Sequence, residues 1–276
     1  MRCVLCNGDN FEKLFSDNEE FDYLKCRSCG LVKTVGSKKR VSYKHYHRDS
    51  DYKKYDKYFE NIFRKRFNTI SGFTKSSGKV LDVGAASGVM LQIFFDNGWE
   101  VFGVEPSGSA RELEKKGFKI YKTTLEKAKL PLDYFDVIVM NHTLEHVNDP
   151  VLAMKIIYKA LKRKGIVYID VPNFGSLDAS IWGRNWQYLL PYEHIHQFTP
   201  ETLRKVFEKA KFEVIWWDSW SGVFDSANIF DKYLQNIKIM RPHSLKRVIL
   251  DTINIPFNIV TTFLNKGVSL GMVGKK

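Results

Sequence analysis

The stretch Lys79-Val-Leu-Asp-Val-Gly-Ala-Ala-Ser-Gly-Val-Met90 limits the fold more than any other part of the chain. Lys79 to Val83 has the apolar run of a short buried strand. Gly84 to Gly88 is a loop of small residues, and Val89 to Asn97 carries helical apolar spacing. In α/β proteins a strand, a small-residue loop and a helix bring the backbone close to a nucleotide-like ligand. Beyond this stretch the pattern alternates. Strands are predicted at 79–83, 100–104, 118–121, 135–140, 166–171 and 212–218. Helices are predicted at about 87–97 and 107–116, from Pro150 to Lys164-Gly165, and over 200–210 with Thr199 as N-cap. Such alternation predicts an α/β fold with a doubly wound parallel sheet covered on both faces. The tail, Val268 to Val273, has β content and is placed beside the strand at 212–218.

The loop also discriminates between ligands. A dinucleotide pyrophosphate calls for GxGxxG and no competing negative charge. Here the glycines are spaced GxxxG, from Gly84 to Gly88, and Asp82 stands immediately before them. An acid there disfavours phosphate and suits the cationic methionine end of S-adenosylmethionine. Glu105, at the end of the second strand, is placed to take both ribose hydroxyls.

The four cysteines are Cys3, Cys6, Cys26 and Cys29, two CxxC pairs separated by 19 residues. In a reducing compartment that spacing predicts a structural zinc ion in a tetrahedron of thiolates. Asn7-Gly8 and Gly30 suit the turns after each pair, and Phe11–Phe15 and Phe21–Lys25 are predicted strands between them. Residues 1–36 are therefore assigned to a zinc ribbon. Residues 37–78 are assigned to a linker, whose Tyr43, Tyr46 and His47 pack the ribbon or reach a ligand, followed by a helix over Tyr52–Phe73. Residues 79–276 form the main domain, with a helical insertion at about 219–266.

Three motifs in order resemble class I S-adenosylmethionine-dependent methyltransferases. Asp82-Val-Gly84-Ala-Ala86-Ser-Gly88 is similar to the family's nucleotide loop, with Ala86 where a glycine is commoner. Val101-Phe-Gly-Val-Glu105-Pro106 is similar to its second strand and ribose-binding acid. Phe135 to Pro150, containing Asn141-His142-Thr-Leu-Glu145-His146, is similar to its fourth strand and the turn that follows. The resemblance implies a Rossmann-like sheet of seven strands, the last antiparallel. It implies cofactor contacts at Asp82, Gly84, Ala85, Gly88, Glu105 and Pro106. Asn141 and His142 would lie beside the methionine portion, and Thr124 near adenine through its backbone.

A second constellation is Pro191-Tyr192-Glu193-His194-Ile195-His196, in a loop at the carboxyl ends of the strands. His194 is a candidate general base, with Glu193 to orient it or hold a sugar hydroxyl. His194 and His196 alternate and could share a metal ion, although no third ligand is evident in sequence. Tyr192, Glu193 and His194 resemble the active-site loop of zinc-ribbon sugar methyltransferases acting on nucleotide-linked sugars. The candidate catalytic residues are accordingly His194, Glu193, Tyr192 and His196. The acceptor implied is a sugar or nucleotide-sugar hydroxyl of surface-glycan or secondary-metabolite chemistry.

The net charge of +12 fits a phosphorylated small substrate, an anionic membrane surface or nucleic acid. A zinc ribbon joined to this fold also resembles certain ribosomal-RNA methyltransferases, so RNA is the alternative acceptor. A bare binding module is disfavoured by the intact Gly84, Gly88 and Glu105. The absence of a long apolar span predicts a cytoplasmic protein. Leu245 to Leu264 is apolar enough to pack the core, form a dimer face or lie at a membrane interface.

Overall fold

The computed structural model describes residues 1–17, 20–36, 56–75, 77–221 and 256–276. The linker residues Tyr43, Tyr46 and His47, the first residues of the predicted helix at 52–73, and most of the 219–266 segment lie outside the described residues.

The N-terminal module holds β1 (Phe11–Asp17), β2 (Phe21–Cys26) and β3 (Val32–Gly36), antiparallel and adjacent in that order. The sequence pattern indicates only the first two. Helix α1 (Asp56–Ser71) leads into the main sheet. Then come β4 (Lys79–Val83), α2 (Val89–Asp96), β5 (Glu100–Val104), α3 (Ser109–Lys115), β6 (Lys119–Tyr121) and β7 (Phe135–Asn141). These are followed by α4 (Pro150–Ala160), β8 (Leu161–Pro172), α5 (Leu177–Trp182) and β9 (His196–Gln197). The chain ends with α6 (Pro200–Lys209), β10 (Glu213–Trp220) and β11 (Ser269–Lys275).

The main sheet has seven strands in the order β10-β11-β8-β7-β4-β5-β6. β11 runs antiparallel to both neighbours, and the remaining pairs are parallel. β4 is central. Its Val80, Leu81, Asp82 and Val83 are all buried, as a strand covered on both faces requires. This is the doubly wound, Rossmann-like architecture that the alternation predicts.

Two helix starts follow their sequence signals. Asp149 caps α4 by accepting from Leu152 N–H at 2.9 Å, with Pro150 in the first turn. Thr199 and Thr202 form a reciprocal cap on α6, again with proline behind it. The predicted helix from Pro150 to Lys164-Gly165 is corrected. It stops at Ala160, and β8 already begins at Leu161, opposite Phe135. Four residues, Lys162 to Gly165, then loop out of register opposite Asp136. The Asp136 carboxylate holds that bulge by accepting from Lys162 Nζ and from Lys79 N–H, each at 2.8 Å to Oδ2.

The module does not stand apart from the sheet. β3 pairs with β9, joining Val32 to Gln197 and Lys33 to His196. Leu5, Cys26 and Leu31 belong to the same buried cluster as Val151, Leu203 and Val206 of the main domain. Lys205 Nζ also donates to the Cys29 carbonyl at 2.9 Å. Among the described residues no helix is long and apolar enough to cross a membrane. In the helical residues 256–263, Thr261 is buried while Ile259 and Phe263 are exposed.

Candidate active site

The carboxyl ends of β4, β5 and β7 surround a cavity of about 500 Å³, within the size range of small-ligand sites. Asp82, Gly84 and Ala85 reach it from the first turn. Glu105 and Pro106 reach it from the end of β5, and Thr124 from the loop after β6. Asn141 and His142 come from the end of β7, and Phe63 of α1 completes the wall. Gly88 does not border this cavity. It starts α2 at φ +81°, and a Cβ there would fall 2.3 Å from Leu113 Cδ2.

Gly84 is required by its surroundings. Its φ is +81°, and a Cβ would lie 2.4 Å from Thr143 Oγ1. Ala86 also takes a positive φ of 45°, without being glycine. It is held there by Glu105, whose Oε2 accepts from Ala86 N–H at 2.8 Å while Oε1 accepts from Ser107 N–H at 2.8 Å. A carboxylate has about four acceptor sites, so roughly two remain for ligand hydroxyls. Asp82 is only 4% exposed; burial, and then Glu105, push its carboxyl up to about 7. Two carboxylates at one end of a cavity form a place for a cation and a poor place for phosphate.

The other end is built on the turn after β7. His142 sits at φ +46° and donates its N–H to the Asp170 carbonyl at 2.8 Å. Arg66 of α1 forms an ion pair through Nε with the fully buried Asp170 and brings Nη2 to 3.3 Å from His142 Nε2. Ser269 of β11 donates to Asp170 Oδ1 at 2.8 Å. One carboxylate thus ties α1, β8 and β11 together beneath the cavity.

Beside this lies Glu145, 1% exposed, in a single 3₁₀ turn at Leu144–His146. His142 Nδ1 stands 3.5 Å from its Oε1, His194 Nε2 3.8 Å and His146 Nε2 4.0 Å. Burial raises the Glu145 carboxyl, but the three imidazoles outweigh it and hold the group at about 2. Burial drives His194 down to about 3. His142 is also disfavoured as a cation by burial, yet Glu145 and Asp170 lift it above the ordinary histidine range.

The Tyr192–His196 loop occupies the seam between module and cavity. His194 is 2% exposed; its Nδ1 meets the Tyr188 carbonyl at 2.7 Å, and it does not border the cavity. Tyr192 points outward, donating to Glu20 Oε2 at 2.7 Å and packing edge-on against Phe21 at 4.9 Å. Glu193 presents its carbonyl to His146 Nδ1 at 3.1 Å. His196 is buried in β9 with Nε2 3.2 Å from the Asn148 carbonyl. Ile195 N–H donates to the Glu145 carbonyl and Thr34 N–H to the Ile195 carbonyl, so the loop physically connects β3 to the Glu145 turn.

Sequence reasoning assigned no role to Glu145, His146 or Arg66. A signal existed for the first two: His142, Glu145 and His146 recur at a spacing of one turn directly after a strand that ends in the site. Arg66 carried no such signal, because its partner Asp170 lies a hundred residues away in a strand that reads only as apolar.

The four cysteine sulfurs cluster, with Cys3 Sγ 3.5 Å from Cys29 Sγ and Cys6 Sγ 3.5 Å from Cys26 Sγ. All four lie within 4.8 Å of one another, and none is in a disulfide. Asn7 at φ +61° and Gly30 at φ +88° make the turns after each pair.

Comparison with known proteins agrees with this geometry. A ubiquinone biosynthesis O-methyltransferase of Haemophilus ducreyi is 31% identical over 124 residues, covering 39% of this chain. The chain spans about half the length of that relative, 52%. An S-adenosylmethionine-dependent methyltransferase from Archaeoglobus fulgidus has the same fold, with a TM-score of 0.56, 22% identity, and coverage of 79% of this chain and 94% of that one. Phosphoethanolamine N-methyltransferase 2 of Haemonchus contortus, solved with S-adenosyl-L-methionine, gives a TM-score of 0.57 at 15% identity, covering 92% of this chain and 64% of that one. Residues 55–216, more than half of the chain, match the family model of a methyltransferase domain, and the chain belongs to that family of class I S-adenosylmethionine-dependent methyltransferases.

Proposed function

We propose that the chain transfers a methyl group from S-adenosylmethionine to a hydroxyl of a small-molecule acceptor, a sugar or nucleotide sugar. The observation that carries this reading is one cavity with two buried carboxylates at one end and an imidazole cluster at the other. The donor supplies a methyl group already activated on a positively charged sulfur. Asp82 suits the cationic methionine end, Glu105 has acceptor sites left for ribose hydroxyls, and Gly84 keeps the loop clear of side-chain bulk. His142 and His146 border the far end, where an imidazole would take the proton of the acceptor hydroxyl as the methyl group arrives. Holding acceptor, methyl and sulfur in line within a closed site supplies much of the rate.

Oxygen as the acceptor atom is supported by the matched stretch of relatives named O-methyltransferases. The sugar class is supported by the Tyr192-Glu193-His194 resemblance, and the charge of +12 suits a diphosphate. His194, placed behind Glu145 and outside the cavity, acts in this reading as a positioning residue. The four cysteines fit structural zinc: sulfurs about 2.3 Å from a tetrahedral ion are about 3.8 Å apart, close to the 3.5 Å pairs found here. Gly8 N–H also points at Cys6 Sγ from 3.4 Å, which suits a thiolate.

The test is a tritiated-methyl transfer screen with nucleotide sugars, free glycans, phenols and RNA side by side. Transfer to nucleotide sugars is expected. Label on phenols alone would replace the sugar assignment, and label on RNA alone would replace the small-molecule one.

A further inference from the structure

We propose that the end of the main sheet opposite the cavity docks on an anionic lipid surface, through a cluster of cations around the bulge at Lys162–Gly165. The cavity takes up the carboxyl ends of β4, β5 and β7, so the amino ends of these parallel strands form the far end of the sheet. Helices α4 and α6 run back to that end, each finishing just before a strand begins there. The chain brings Lys159, Arg163, Lys164, Lys209, Lys211 and Lys275 to it, and all but the half-buried Lys275 are exposed.

Backbone pairing makes these residues neighbours. Lys275 lies between Glu213, which follows closely on Lys211, and Ile166, which follows closely on Lys164. Lys164 N–H donates to the Lys276 carbonyl at 3.3 Å, and Lys276 N–H donates to the Gly165 carbonyl at 3.0 Å. Lys276 Nζ stands 5.0 Å from the centre of the Tyr158 ring, beside Lys159, and that ring packs edge-on against Phe212 at 5.1 Å. Nearby acids do not neutralise the cluster. Asp133 accepts from Lys276 Nζ at 2.7 Å, and Asp136 accepts from Lys162 Nζ at 2.8 Å. The side chains of Lys159, Arg163, Lys164, Lys209, Lys211 and Lys275 have no hydrogen bond or ion pair among the described residues. Glu208 and Glu213 are the acids left beside them, so the cations stay in excess.

Two observations favour a lipid surface over RNA. Leu132 is 69% exposed, and its neighbour Asp133 donates its N–H to the Lys159 carbonyl at 3.0 Å, so an apolar side chain stands among the cations. That combination suits a bilayer surface, where lysine and arginine meet anionic headgroups and an apolar group enters the acyl boundary. RNA recognition relies instead on open aromatic faces for stacking bases. In the cluster the Tyr158 ring is covered by Lys276, the Tyr134 ring is covered by Lys79 Nζ at 3.8 Å, and Phe212 is buried. With the chain docked at this end, the cavity opens away from the lipid and stays accessible to a soluble acceptor. The contact does not rest on which acceptor is methylated.

The experiment is co-sedimentation of the full chain with vesicles of phosphatidylcholine and phosphatidylglycerol, and with vesicles of phosphatidylcholine alone. Binding to the mixed vesicles only is expected, and it should be lost at high salt. Arg163→Gln, Lys164→Gln and Lys211→Gln combined are expected to weaken it about a hundredfold, at about fivefold per cation. Arg2→Gln, Lys65→Gln and Arg111→Gln combined remove the same charge from the module, α1 and α3, and should weaken it by about threefold at most. Leu132→Ser is expected to weaken it several-fold. Circular dichroism and S-adenosylmethionine calorimetry should be unchanged in every variant. If the triple variant at the bulge fails to fold, Arg163→Gln and Lys211→Gln singly should each show the loss of about fivefold. No binding to the mixed vesicles, equal binding to neutral vesicles, or equal losses in the two triple variants overturns the proposal. Binding of a structured RNA that Arg163→Gln and Lys211→Gln weaken, with no vesicle binding, assigns the surface to RNA and overturns it as well.

Discussion

The contact between Gly84 and Thr143 gives a quantitative test of the cofactor loop. Gly84→Ala incurs two costs. Holding an L-residue at a left-handed φ costs about 1–2 kcal/mol. The new Cβ also lands 2.4 Å from Thr143 Oγ1 and 3.0 Å from its Cγ2. Overlap in a packed site adds about 1–3 kcal/mol, so the substitution should destabilise by about 3 kcal/mol. The two costs separate in a double-mutant cycle. Thr143→Ala removes both overlapping atoms and leaves Thr143 Cβ, which lies 3.3 Å from the position the new methyl group takes and is tolerable. In that background Gly84→Ala should cost only about 1.5 kcal/mol, a coupling of about 1.5 kcal/mol. The entropic gain of alanine over glycine in the unfolded chain is the same in both backgrounds and cancels. Urea unfolding measures the four stabilities, and calorimetry with S-adenosylmethionine measures whether binding returns with the relieved overlap. Equal costs in the two backgrounds, to within about 0.5 kcal/mol, would refute the geometry of the loop.

Three further outcomes follow from the same structure. Asp82 is protonated in the folded chain below about 7, well above the ordinary aspartate range, so the ligand-free protein loses stability as pH rises from that range through about 7. A cationic donor favours the carboxylate, so wild-type affinity should weaken below about pH 7 by up to about tenfold per unit, while Asp82→Asn gives a flat calorimetric profile. Arg66→Met leaves the fully buried Asp170 without its cation and should cost about 3–5 kcal/mol in urea unfolding. Arg64→Met, which breaks the exposed pair with Glu60, should cost about 0.5 kcal/mol or less, and similar losses for the two would contradict the buried ion pair. On the zinc reading of the four cysteines, a strong chelator should lower the melting temperature of the whole chain, because the module shares a core with α4 and α6; an unchanged melting temperature would overturn that reading or separate the module from the fold.

The Tyr192–His196 loop shows how a sequence motif and a tertiary position differ. Its residues suggest chemistry, and in the folded chain they do adjoin the site. They do so from behind. Ile195 supports Glu145 through its backbone, His194 faces the same carboxylate, and Tyr192 ties the loop to Glu20 and Phe21 of the module. The cysteine module therefore reaches the cavity through a short ladder between β3 and β9. A change in the module has a direct mechanical route to Glu145.

Local pattern alone settled the alternating elements, the Thr199-capped start of α6, the loop at Gly84 and the turn after each CxxC pair. Each depends on residues within a few positions of one another, where spacing and backbone preference decide the outcome. The bulge at Lys162–Gly165 was not legible, because it exists to let Asp136 and Leu161 find partners on other strands. The pairing of β3 with β9 likewise joins residues that are far apart in the chain. The same holds for the site. Asp82 and Glu105 announced themselves by standing at strand ends. The Arg66–Asp170 pair and the convergence of His194 on Glu145 required α1, β8 and the loop before β9 to meet. Sequence spacing fixes which side chains share an element; only packing decides which elements bring their charges together, because burial is what gives those charges their partners.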